Sequence, residues 1–323
     1  NYNWNGCGLY FTLDERVKIK FMNFDITTLK NKFGKNLKIK ENLSKYSWFN
    51  LGGPAEVFFR PENIDQLKEF LIFNNNKNNK INIIGAGSNT LIRDRGVEGI
   101  VIKLSPNFSN IELLEHNIIE VGAATLDRKL SDFAKNNKIS SMEFLSCIPG
   151  SIGGAIIMNS GCYGDDISKI LLSIKVLDYQ GQEKEIKNDQ IQFCYRGSDL
   201  PSNLIILSAK FKGVASSKEL IDKKQNELIL RKKKSQPSQI KTGGSTFKNN
   251  NDKKAWMLIK ESGCDKFKIG DAKISEKHCN FFVNNGKAKA SDVEALINKV
   301  KKEVKIKTGV NLDLEIKIIG DEE

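Results

Sequence analysis

Only two histidines, His116 and His278, occur in this sequence of 323 residues, and its six cysteines include no C-x-x-C pair. A structural zinc site or a disulfide framework requires cysteines and histidines at short, regular spacings. Two histidines are too few for a histidine-rich metal centre, and they could serve a Ser-His-Asp triad only beside a nucleophile. We therefore expect reduced, mostly buried thiols and no metal site, and we assign His278 no catalytic role.

The sequence also lacks an uninterrupted apolar run of the roughly 20 residues that a membrane-crossing helix needs. No segment combines the basic start, apolar centre and small-residue cleavage site of a signal peptide. The hydrophobic fraction of 39% and the charged fraction of 28% are ordinary for a globular protein of two or three domains. We predict a cytoplasmic protein without a membrane partner.

Acidic residues are outnumbered, since 51 Lys and Arg against 39 Asp and Glu give a net charge of +12. Such a charge suits an anionic partner, for example nucleic acid or a phosphorylated small molecule. Lysines are nevertheless spread along the whole chain, including the predicted loop at residues 74–80, and the dense cluster at residues 231–234 ends a predicted helix. We interpret the basicity as a compositional bias and predict no nucleic-acid partner.

Residues 148–164, I-P-G-S-I-G-G-A-I-I-M-N-S-G-C-Y-G, carry no charge and contain five glycines. Glycines at this density let a backbone lie close to a ligand. Ser151 precedes an apolar turn, which predicts a capped helix whose amide hydrogens face an anion. We interpret this stretch as the wall of a phosphate or cofactor cleft; the alternative is a buried helix with glycine contacts.

A second glycine-rich stretch, G-A-G-S-N at residues 85–89, directly follows a predicted strand at residues 80–84. A strand followed by such a turn presents backbone amides to a diphosphate. No helix follows, as a Rossmann fingerprint would require, so we predict a phosphate loop of a different kind. A tight turn between two strands would use the same residues.

Hydrophobic periodicity and turn residues predict helices at residues 61–73, 125–136, 218–233 and 254–262, strands at 57–60, 100–103, 118–121, 204–211, 281–283 and 312–319, and a hairpin of 170–178 with 183–186. In the last helix, Ser291 with Glu294 predicts a capping box, and Gly309 ends the helix. Glu315 falls within the predicted closing strand.

Seven motifs, in one order, resemble those of the UDP-N-acetylenolpyruvoylglucosamine reductase family, the MurB enzymes of peptidoglycan synthesis. They are S-W-F-N-L-G-G-P-A-E, I-I-G-A-G-S-N-T-L-I-R-D-R-G-V-E-G, the stretch at residues 148–164, C-Y-R-G-S, G-G-S-T-F-K-N, I-S-E-K-H-C-N-F-F-V-N and L-D-L-E-I-K-I-I-G. The match covers nearly everything after residue 43, and the short tail after Gly320 is more similar to the family's type II members. Each motif alone is weak, whereas seven in this order are specific.

The resemblance implies an α+β protein with a FAD-binding fold of the vanillyl-alcohol-oxidase type, made of two α+β subdomains, and a C-terminal α+β substrate-binding domain. We predict an extension at residues 1–21, subdomains at 22–104 and 105–213, and the substrate-binding domain at 214–323. The resemblance implies that FAD binds noncovalently, and the absence of a histidine from the cofactor motifs agrees with this. The predicted cofactor-binding residues are Gly52, Gly53, Gly85, Ala86, Gly87, Ser88, Asn89, Ile148, Pro149, Gly150, Ser151, Gly153, Gly154, Asn159 and Gly161.

The resemblance also implies a reaction, in which NADPH reduces the flavin and hydride then passes to the enolpyruvyl ether of a UDP-sugar, giving a lactyl ether. Arg196, in the position of the family's Y-R motif, would support the negative charge that develops beside the substrate carboxylate. Ser245, in the G-S-x-F-K-N motif, would donate the proton, with a relay or water restoring it. Glu315 would lie near the same enolate.

An ionised Glu315 beside a forming anion would oppose the reaction, so we expect its pKa to be raised in the substrate complex. A Glu315→Gln variant whose activity has a flat pH profile through the acidic limb would exclude a purely ionised role.

Four further residues are expected to contact the substrate: Tyr195, Lys248, Asn249 and Lys266. The sequence departs from the family pattern at Ser47, where threonine is common, at Asn250, which replaces a proline, and at Phe267 and Asp271, which stand where glycines are frequent. The last three fall in the predicted substrate domain, so we expect them to affect nucleotide affinity more than flavin binding. The expected partners are the UDP-amino sugar and NADPH, without an obligate protein partner.

Two alternatives remain from the sequence. One is a FAD-dependent oxidase of the same fold with another substrate, which would reduce oxygen rapidly and have no need of Ser245. The other is a non-catalytic basic protein that binds nucleotides or nucleic acid. A colourless protein that cannot be reconstituted with FAD would exclude both enzymes, whereas salt-sensitive retention on DNA would favour the binding protein.

Overall fold

The computed structural model describes residues 26–75, 79–250 and 253–322, and the predicted extension at residues 1–21 lies outside them. The helices are α1 (Ile26–Phe33), α2 (Ile64–Asn75), α3 (Asp127–Asn136), α4 (Ile152–Ile157), α5 (Lys218–Ser235), α6 (Ala255–Glu261) and α7 (Ala290–Thr308). The strands are β1 (Leu37–Asn42), β2 (Pro54–Phe59), β3 (Ile81–Ile83), β4 (Thr90–Ile92), β5 (Val97–Ile102), β6 (Ile111–Leu113), β7 (Ile118–Gly122), β8 (Ile139–Ser140), β9 (Gly161–Cys162), β10 (Asp165–Asp166), β11 (Leu171–Asp178), β12 (Glu183–Lys187), β13 (Phe193–Cys194), β14 (Gly197–Ser198), β15 (Leu204–Lys212), β16 (Val214–Ala215), β17 (Lys241–Ser245), β18 (Lys268–Ile269), β19 (Ala272–Ile274), β20 (Phe281–Asn284) and β21 (Lys317–Ile319).

The first sheet has the order β1-β2-β5-β3, with β1 antiparallel to β2 and with β2, β5 and β3 parallel. Val57, Phe58 and Phe59 of β2 are at most 1% exposed, as the continuous apolar run of a strand covered on both faces predicts. The predicted apolar face of α2 packs here, because Phe70 stacks on Phe59 with ring centroids 3.9 Å apart. This sheet carries the loop at residues 85–89, between β3 and β4.

The second sheet is antiparallel, in the order β12-β11-β15-β7-β6. Its β11–β12 hairpin forms as predicted, and the carboxylate of Asp178 closes the turn by accepting the backbone N–H groups of Gln180 and Gln182. Helices α3 and α4 share one apolar core with this sheet, which includes Leu130 of α3 and Ile156 of α4. The glycine-rich segment at residues 148–164 thus packs directly on the second sheet.

The third sheet, β17-β20-β19-β18, packs against α6 and α7. Its apolar core includes Phe49, Leu51 and Leu91, which come from segments around the first sheet. The core of the third sheet therefore also contains residues from segments next to the first sheet. Each sheet, together with the helices packed on it, forms one unit of the fold. None of the helices in the described residues combines the length and apolar composition that a bilayer crossing demands.

The predicted capping box at the start of α7 is wrong, because both of its residues contact another segment of the chain. The carboxylate of Asp94 accepts hydrogen bonds from the backbone N–H groups of Ala290 and Ser291 and from the Ser291 hydroxyl, each at 2.9 Å. Glu294 binds Arg93, with 2.8 Å between Oε1 and Nε. A carboxylate distant in sequence thus satisfies the free amides and complements the helix dipole.

The closing strand is shorter than the predicted residues 312–319, since only Lys317–Ile319 form β21. It pairs in parallel with β4, which follows the loop at residues 85–89. Leu314 instead forms a single antiparallel bridge with Phe247, just after β17 of the third sheet. The chain crosses here from one unit to the other, so no single neighbour can pair with the whole segment.

Helix α5 packs on the second unit before the chain enters the third sheet. Gln225 donates a 2.7 Å hydrogen bond to the Ser131 hydroxyl of α3, and Asp222 pairs with Lys135 at 3.0 Å. The short strand β16, just before α5, pairs with β8. The domain limits expected from the sequence stay a prediction.

Candidate active site

The two glycine-rich segments meet in the structure. A Cβ atom added to Gly85 would lie 2.5 Å from the Ser151 hydroxyl oxygen. A Cβ atom added to Gly150 would lie 2.5 Å from Oδ2 of Asp127 and 3.8 Å from the Ser88 hydroxyl. The loop at residues 85–89 and the start of the 148–164 segment are therefore in contact.

The loop at residues 85–89 presents unused hydrogen-bond donors. None of its five backbone N–H groups donates a hydrogen bond within the described part of the chain. Its carbonyls are partly occupied, because that of Gly85 accepts from the Lys103 ammonium and that of Gly87 from the Trp48 N–H. Free amides in a glycine-rich turn form a cradle for a diphosphate.

Helix α4 does not provide the second anion site that its sequence predicts. Ser151 precedes the helix, but its hydroxyl makes no capping hydrogen bond. The N–H groups of Ile152 and Gly153 instead donate to the carbonyls of Thr125 and Ala123, each at 2.9 Å. The prediction that the amides of this helix face an anion is therefore wrong for its first two residues, which anchor the segment to the turn after β7.

Asp127 and Thr125 are buried polar residues beside the two loops, and the motifs did not identify them. They are 0% and 1% exposed, and neither the Asp127 carboxylate oxygens nor the Thr125 hydroxyl has a partner among the described residues. Burial raises the pKa of Asp127 well above its usual range. A bound water or a polar group of a ligand has to satisfy these oxygens.

Three apolar side chains around the loops remain unusually exposed: Trp48 at 47%, Leu126 at 47% and Ile157 at 38%. Trp48 is held by its N–H bond to Gly87, and Leu126 forms a bridge with Ser151. Apolar walls beside free amides suit a ligand that joins flat rings through a diphosphate. The residues present therefore fit FAD.

Arg196 and Glu315 form an ion pair although 119 positions separate them, with 2.8 Å between Nε and Oε1. Both are largely buried, at 22% and 17% side-chain exposure, so neither occupies an ordinary surface position. Arg196 lies in the turn of the β13–β14 hairpin with a φ of 59°, a left-handed conformation that is strained for a residue other than glycine. The ion pair holds the side chain in place despite this strain.

Three segments converge on Glu315. Its backbone N–H donates to the carbonyl of Thr246 at 2.9 Å, which places it beside Ser245 at the end of β17. Its carbonyl accepts a 3.0 Å hydrogen bond from the side-chain amide of Asn89. Asn89 is the last residue of the free-amide loop, which is the loop at residues 85–89. Burial raises the pKa of Glu315, while the charges of Arg196 and Lys248 oppose the rise. The predicted catalytic residues thus lie together, next to the predicted diphosphate loop.

Asn159 connects the glycine-rich wall to the hairpin that carries Arg196. Its side-chain amide donates to the carbonyl of Cys194 at 3.2 Å, and its oxygen accepts the N–H of Ser168 at 3.0 Å. Nearby, the Asn249 amide donates to the Tyr195 hydroxyl at 3.2 Å. Asn159 therefore orients the hairpin. This structural role is additional to the cofactor contact that the sequence predicts for Asn159.

Several other predicted site residues are placed elsewhere. A Cβ atom at Gly53 would overlap the Asp94 carbonyl, one at Gly52 would lie 2.6 Å from Ile92 Cβ, and one at Gly161 would overlap the Asp165 carbonyl, so each permits close backbone packing. Lys266 is exposed, and no hydrogen bond or ion pair joins it to the described residues of the site. Cofactor or substrate contact for these four stays a prediction.

Comparison with known proteins agrees with this arrangement. Residues 55–187 match the FAD binding domain family, and residues 232–319 match the family described as UDP-N-acetylenolpyruvoylglucosamine reductase, C-terminal domain. The UDP-N-acetylenolpyruvoylglucosamine reductases of Pelagibacter ubique (strain HTCC1062) and Rickettsia typhi (strain ATCC VR-144 / Wilmington) are 48% and 46% identical to this chain, covering 91% and 86% of it and 98% and 94% of the relatives. The crystal structure of UDP-N-acetylenolpyruvylglucosamine reductase (MurB) from Thermus caldophilus superposes with a TM-score of 0.77 at 31% identity, covering 88% of this chain and 98% of that chain.

Fold and site together define a FAD-dependent oxidoreductase, and the predicted α+β fold and FAD cofactor are confirmed. A FAD-binding domain is followed by a second α+β domain, and the candidate catalytic residues lie where the two meet. The chain belongs to the UDP-N-acetylenolpyruvoylglucosamine reductase family. The resemblance that the seven motifs indicate is therefore confirmed.

We expect an Asp127→Asn variant to reveal the buried carboxyl through the pH dependence of folding. An unfolded aspartate titrates near pH 4, whereas the pKa of Asp127 in the folded chain is raised by burial. Between those two values the folded state binds the extra proton, so the free energy of unfolding falls by about 1.4 kcal/mol per pH unit as pH rises. The variant lacks this loss, so its stability relative to the unmodified protein should grow with pH.

Urea unfolding of the FAD-free proteins at about pH 5 and pH 7 measures this difference. Asp132→Asn is the matched control, because Asp132 lies on the same helix with a side chain 45% exposed. A stability difference for Asp127→Asn that stays constant across this range would contradict the account.

Proposed function

We propose that this protein reduces the enolpyruvyl ether of UDP-N-acetylglucosamine enolpyruvate to UDP-N-acetylmuramate with NADPH, in the synthesis of peptidoglycan precursors. The observation that carries the proposal is the buried Arg196–Glu315 pair beside Ser245, hydrogen-bonded to Asn89 of the free-amide loop. When bound, FAD supplies hydride transfer between NADPH and the substrate double bond. The amides of residues 85–89 would hold its diphosphate.

Arg196 is arranged to bind a carboxylate. Its Nε is engaged by Glu315, and its two terminal nitrogens make no hydrogen bond within the described residues. A planar guanidinium held by one edge can offer its other donors to a substrate carboxylate. We propose that Arg196 supports the negative charge that grows on that carboxylate as the double bond is reduced.

Ser245 is the proposed proton donor to the carbon beside that carboxylate. A hydroxyl is a weak acid, so it can act only toward a strongly basic carbon and needs its proton restored. Glu315 donates its backbone N–H to the carbonyl of Thr246, the residue that follows Ser245. Burial raises the pKa of Glu315. A protonated Glu315 could supply a proton to this serine through water without placing a second negative charge beside the forming anion.

The proposed substrate contacts lie on the hairpin of Arg196 and on the segment after Ser245. Tyr195 is 50% exposed, its ring lies under the Arg196 guanidinium at 5.0 Å, and it is bound to Asn249. Lys248 acts electrostatically on Glu315 and is oriented by its N–H bond to the Asp313 carbonyl. We propose that these three residues contact the UDP-sugar; Lys266 has no such support.

The three departures from the family pattern that fall in the predicted substrate domain each have a structural partner. The side-chain oxygen of Asn250, which stands in place of the usual proline, accepts the N–H of Lys253 at 2.7 Å. Phe267 packs against the apolar core of the third sheet, and the Lys299 ammonium lies 4.5 Å from the centre of its ring. The side-chain carboxylate of Asp271 accepts the backbone N–H of Lys287. These contacts stabilise the third unit, so we propose that it binds the UDP-sugar despite the departures.

We also propose that residues 22–104, 105–213 and 214–323 correspond to the two FAD-binding subdomains and the substrate-binding domain. Three sheets with largely separate cores support this division. Within residues 214–323, α5 packs on the second unit, so the sheet of the substrate-binding domain begins only after this helix.

Incubation of the FAD-loaded protein with NADPH and the enolpyruvyl UDP-sugar tests the function. The expected product has gained two hydrogens, and NADPH consumption depends on the substrate. Rapid oxygen consumption with no change in the UDP-sugar would indicate the oxidase instead.

A further inference from the structure

Two cysteines, Cys147 and Cys162, flank residues 148–161, which form most of the glycine-rich segment at residues 148–164. Cys147 ends a short 3-10 helix, Glu143–Cys147, and Cys162 lies in β9. The Cys162 thiol donates to the carbonyl of Phe144 at 3.5 Å, one turn of that helix before Cys147. The Cys162 thiol therefore lies beside the short helix that ends at Cys147, although 15 positions separate the two cysteines in sequence.

The environment makes the two thiols chemically different. The neighbouring Cys162 thiol lowers the pKa of Cys147, with smaller help from the Ser146 hydroxyl and the Lys232 charge and against the effect of burial. Lys232 is fixed there, since its ammonium donates to the Cys147 carbonyl at 2.6 Å. The neighbouring Cys147 and burial raise the pKa of Cys162. Cys147 is thus the thiol that ionises more readily, and Cys162 is the one that keeps its proton.

We propose that Cys147 and Cys162 form a peroxide-sensitive dithiol that closes into a disulfide across the ends of the glycine-rich wall. The Cys147 thiolate attacks one oxygen of hydrogen peroxide, the O–O bond breaks, and a sulfenic acid and hydroxide form. The Cys162 sulfur then displaces the sulfenic oxygen, which leaves as water with the Cys162 proton. Two thiols and one peroxide give one disulfide and two waters, so the protein loses two electrons and the peroxide gains them.

The exposure of the two residues limits which oxidants can reach them. Cys147 is 6% exposed and Cys162 is half-buried, so a molecule as small as peroxide can reach them while bulky reagents are hindered. Cys194 is exposed but lacks a cysteine partner within the described residues. A paired thiolate and resolving thiol distinguish this site from a lone reactive cysteine.

The disulfide would act on the active site through two connections. It would enclose residues 148–161, including Ser151 and the Asn159 side chain that orients the Arg196 hairpin. The Arg196 charge also acts electrostatically on the Cys162 thiol. A disulfide would restrict the movement of residues 148–161, so release of FAD should slow by roughly tenfold, because a loop fixed in its bound conformation loses less freedom on binding.

The test uses the FAD-loaded full chain with Cys7→Ser and Cys194→Ser, which removes the exposed Cys194 and a cysteine outside the described residues. Treatment with one equivalent of hydrogen peroxide should lower the mass by about 2 Da and join the peptides that contain Cys147 and Cys162. A thiol reductant should reverse both changes. Release of FAD on dilution, followed by flavin fluorescence, should be slower in the oxidised protein.

Cys162→Ser in the same background is the control, and it should stop at a sulfenic acid on Cys147 that a dimedone reagent traps. If that variant does not fold, Cys147→Ser serves instead and should lose the reaction with peroxide. Oxidation of Cys147 to a sulfinic acid without a cross-link, or two unreacted thiols, would overturn the proposal. Unchanged FAD release after the cross-link has formed would overturn its effect on the wall. None of these readouts depends on the proposed reduction of the UDP-sugar.

Discussion

Replacement of Ser245 by alanine should lower the rate of UDP-sugar reduction by about 10²- to 10⁴-fold, the range typical of a lost general acid. Reduction of the flavin by NADPH should continue at a comparable rate, because this half of the reaction needs no proton on the substrate carbon. Ser245 is half-buried at the end of β17, beside the Thr246 carbonyl that binds Glu315, so loss of one hydroxyl should leave the Arg196–Glu315 pair in place. Stopped-flow absorbance of the flavin separates the two halves of the reaction.

Ser275→Ala is the matched control, since Ser275 follows β19 in the same four-stranded sheet and its side chain makes no hydrogen bond within the described residues. It should change the rate by far less. If Ser245→Ala reduces the substrate as fast as the unmodified protein, Ser245 is not the proton donor and water or Glu315 must take that role.

Replacement of Gly87 by alanine should abolish FAD retention. Gly87 has a φ of +72°, and an added Cβ atom would overlap the carbonyl oxygen of Tyr46. The loop cannot adopt its present course with a side chain there, so the free amides of residues 85–89 would be displaced from the diphosphate. Flavin absorbance after gel filtration measures retention.

Gly309→Ala provides the control for backbone conformation alone. Gly309 ends α7 with a φ of +74°, and an added Cβ atom would contact nothing within 4 Å. Both variants bear the cost of a left-handed alanine, about 1 kcal/mol, but only Gly87→Ala carries the steric overlap. Equal FAD contents in the two variants would contradict the assigned role of the loop.

Sequence motifs predicted the local features of this site well. The apolar repeat of α2, the β11–β12 hairpin and the glycine-rich turn after β3 follow from spacing and turn chemistry within short windows. Arg196, Ser245 and Glu315 came from their motifs, and the structure brings them to one place.

Contacts between distant segments could not be read from the same patterns. Asp94 caps α7 from 196 positions away, so the Ser291 and Glu294 spacing misled the sequence interpretation. Ser151 matched a capping pattern, yet carbonyls at Ala123 and Thr125 take the helix amides. Asp127 carries no motif, and its significance is visible only once its burial and missing partners are known.

The most direct test of the reductase function is a single turnover without oxygen. The FAD-loaded protein is reduced with one equivalent of NADPH and mixed with the enolpyruvyl UDP-sugar, and flavin absorbance is recorded. The account predicts that the oxidised flavin spectrum returns in proportion to the substrate added, with one reduced UDP-sugar formed per flavin. A flavin that stays reduced with excess substrate and recovers its spectrum only when oxygen is admitted would contradict it.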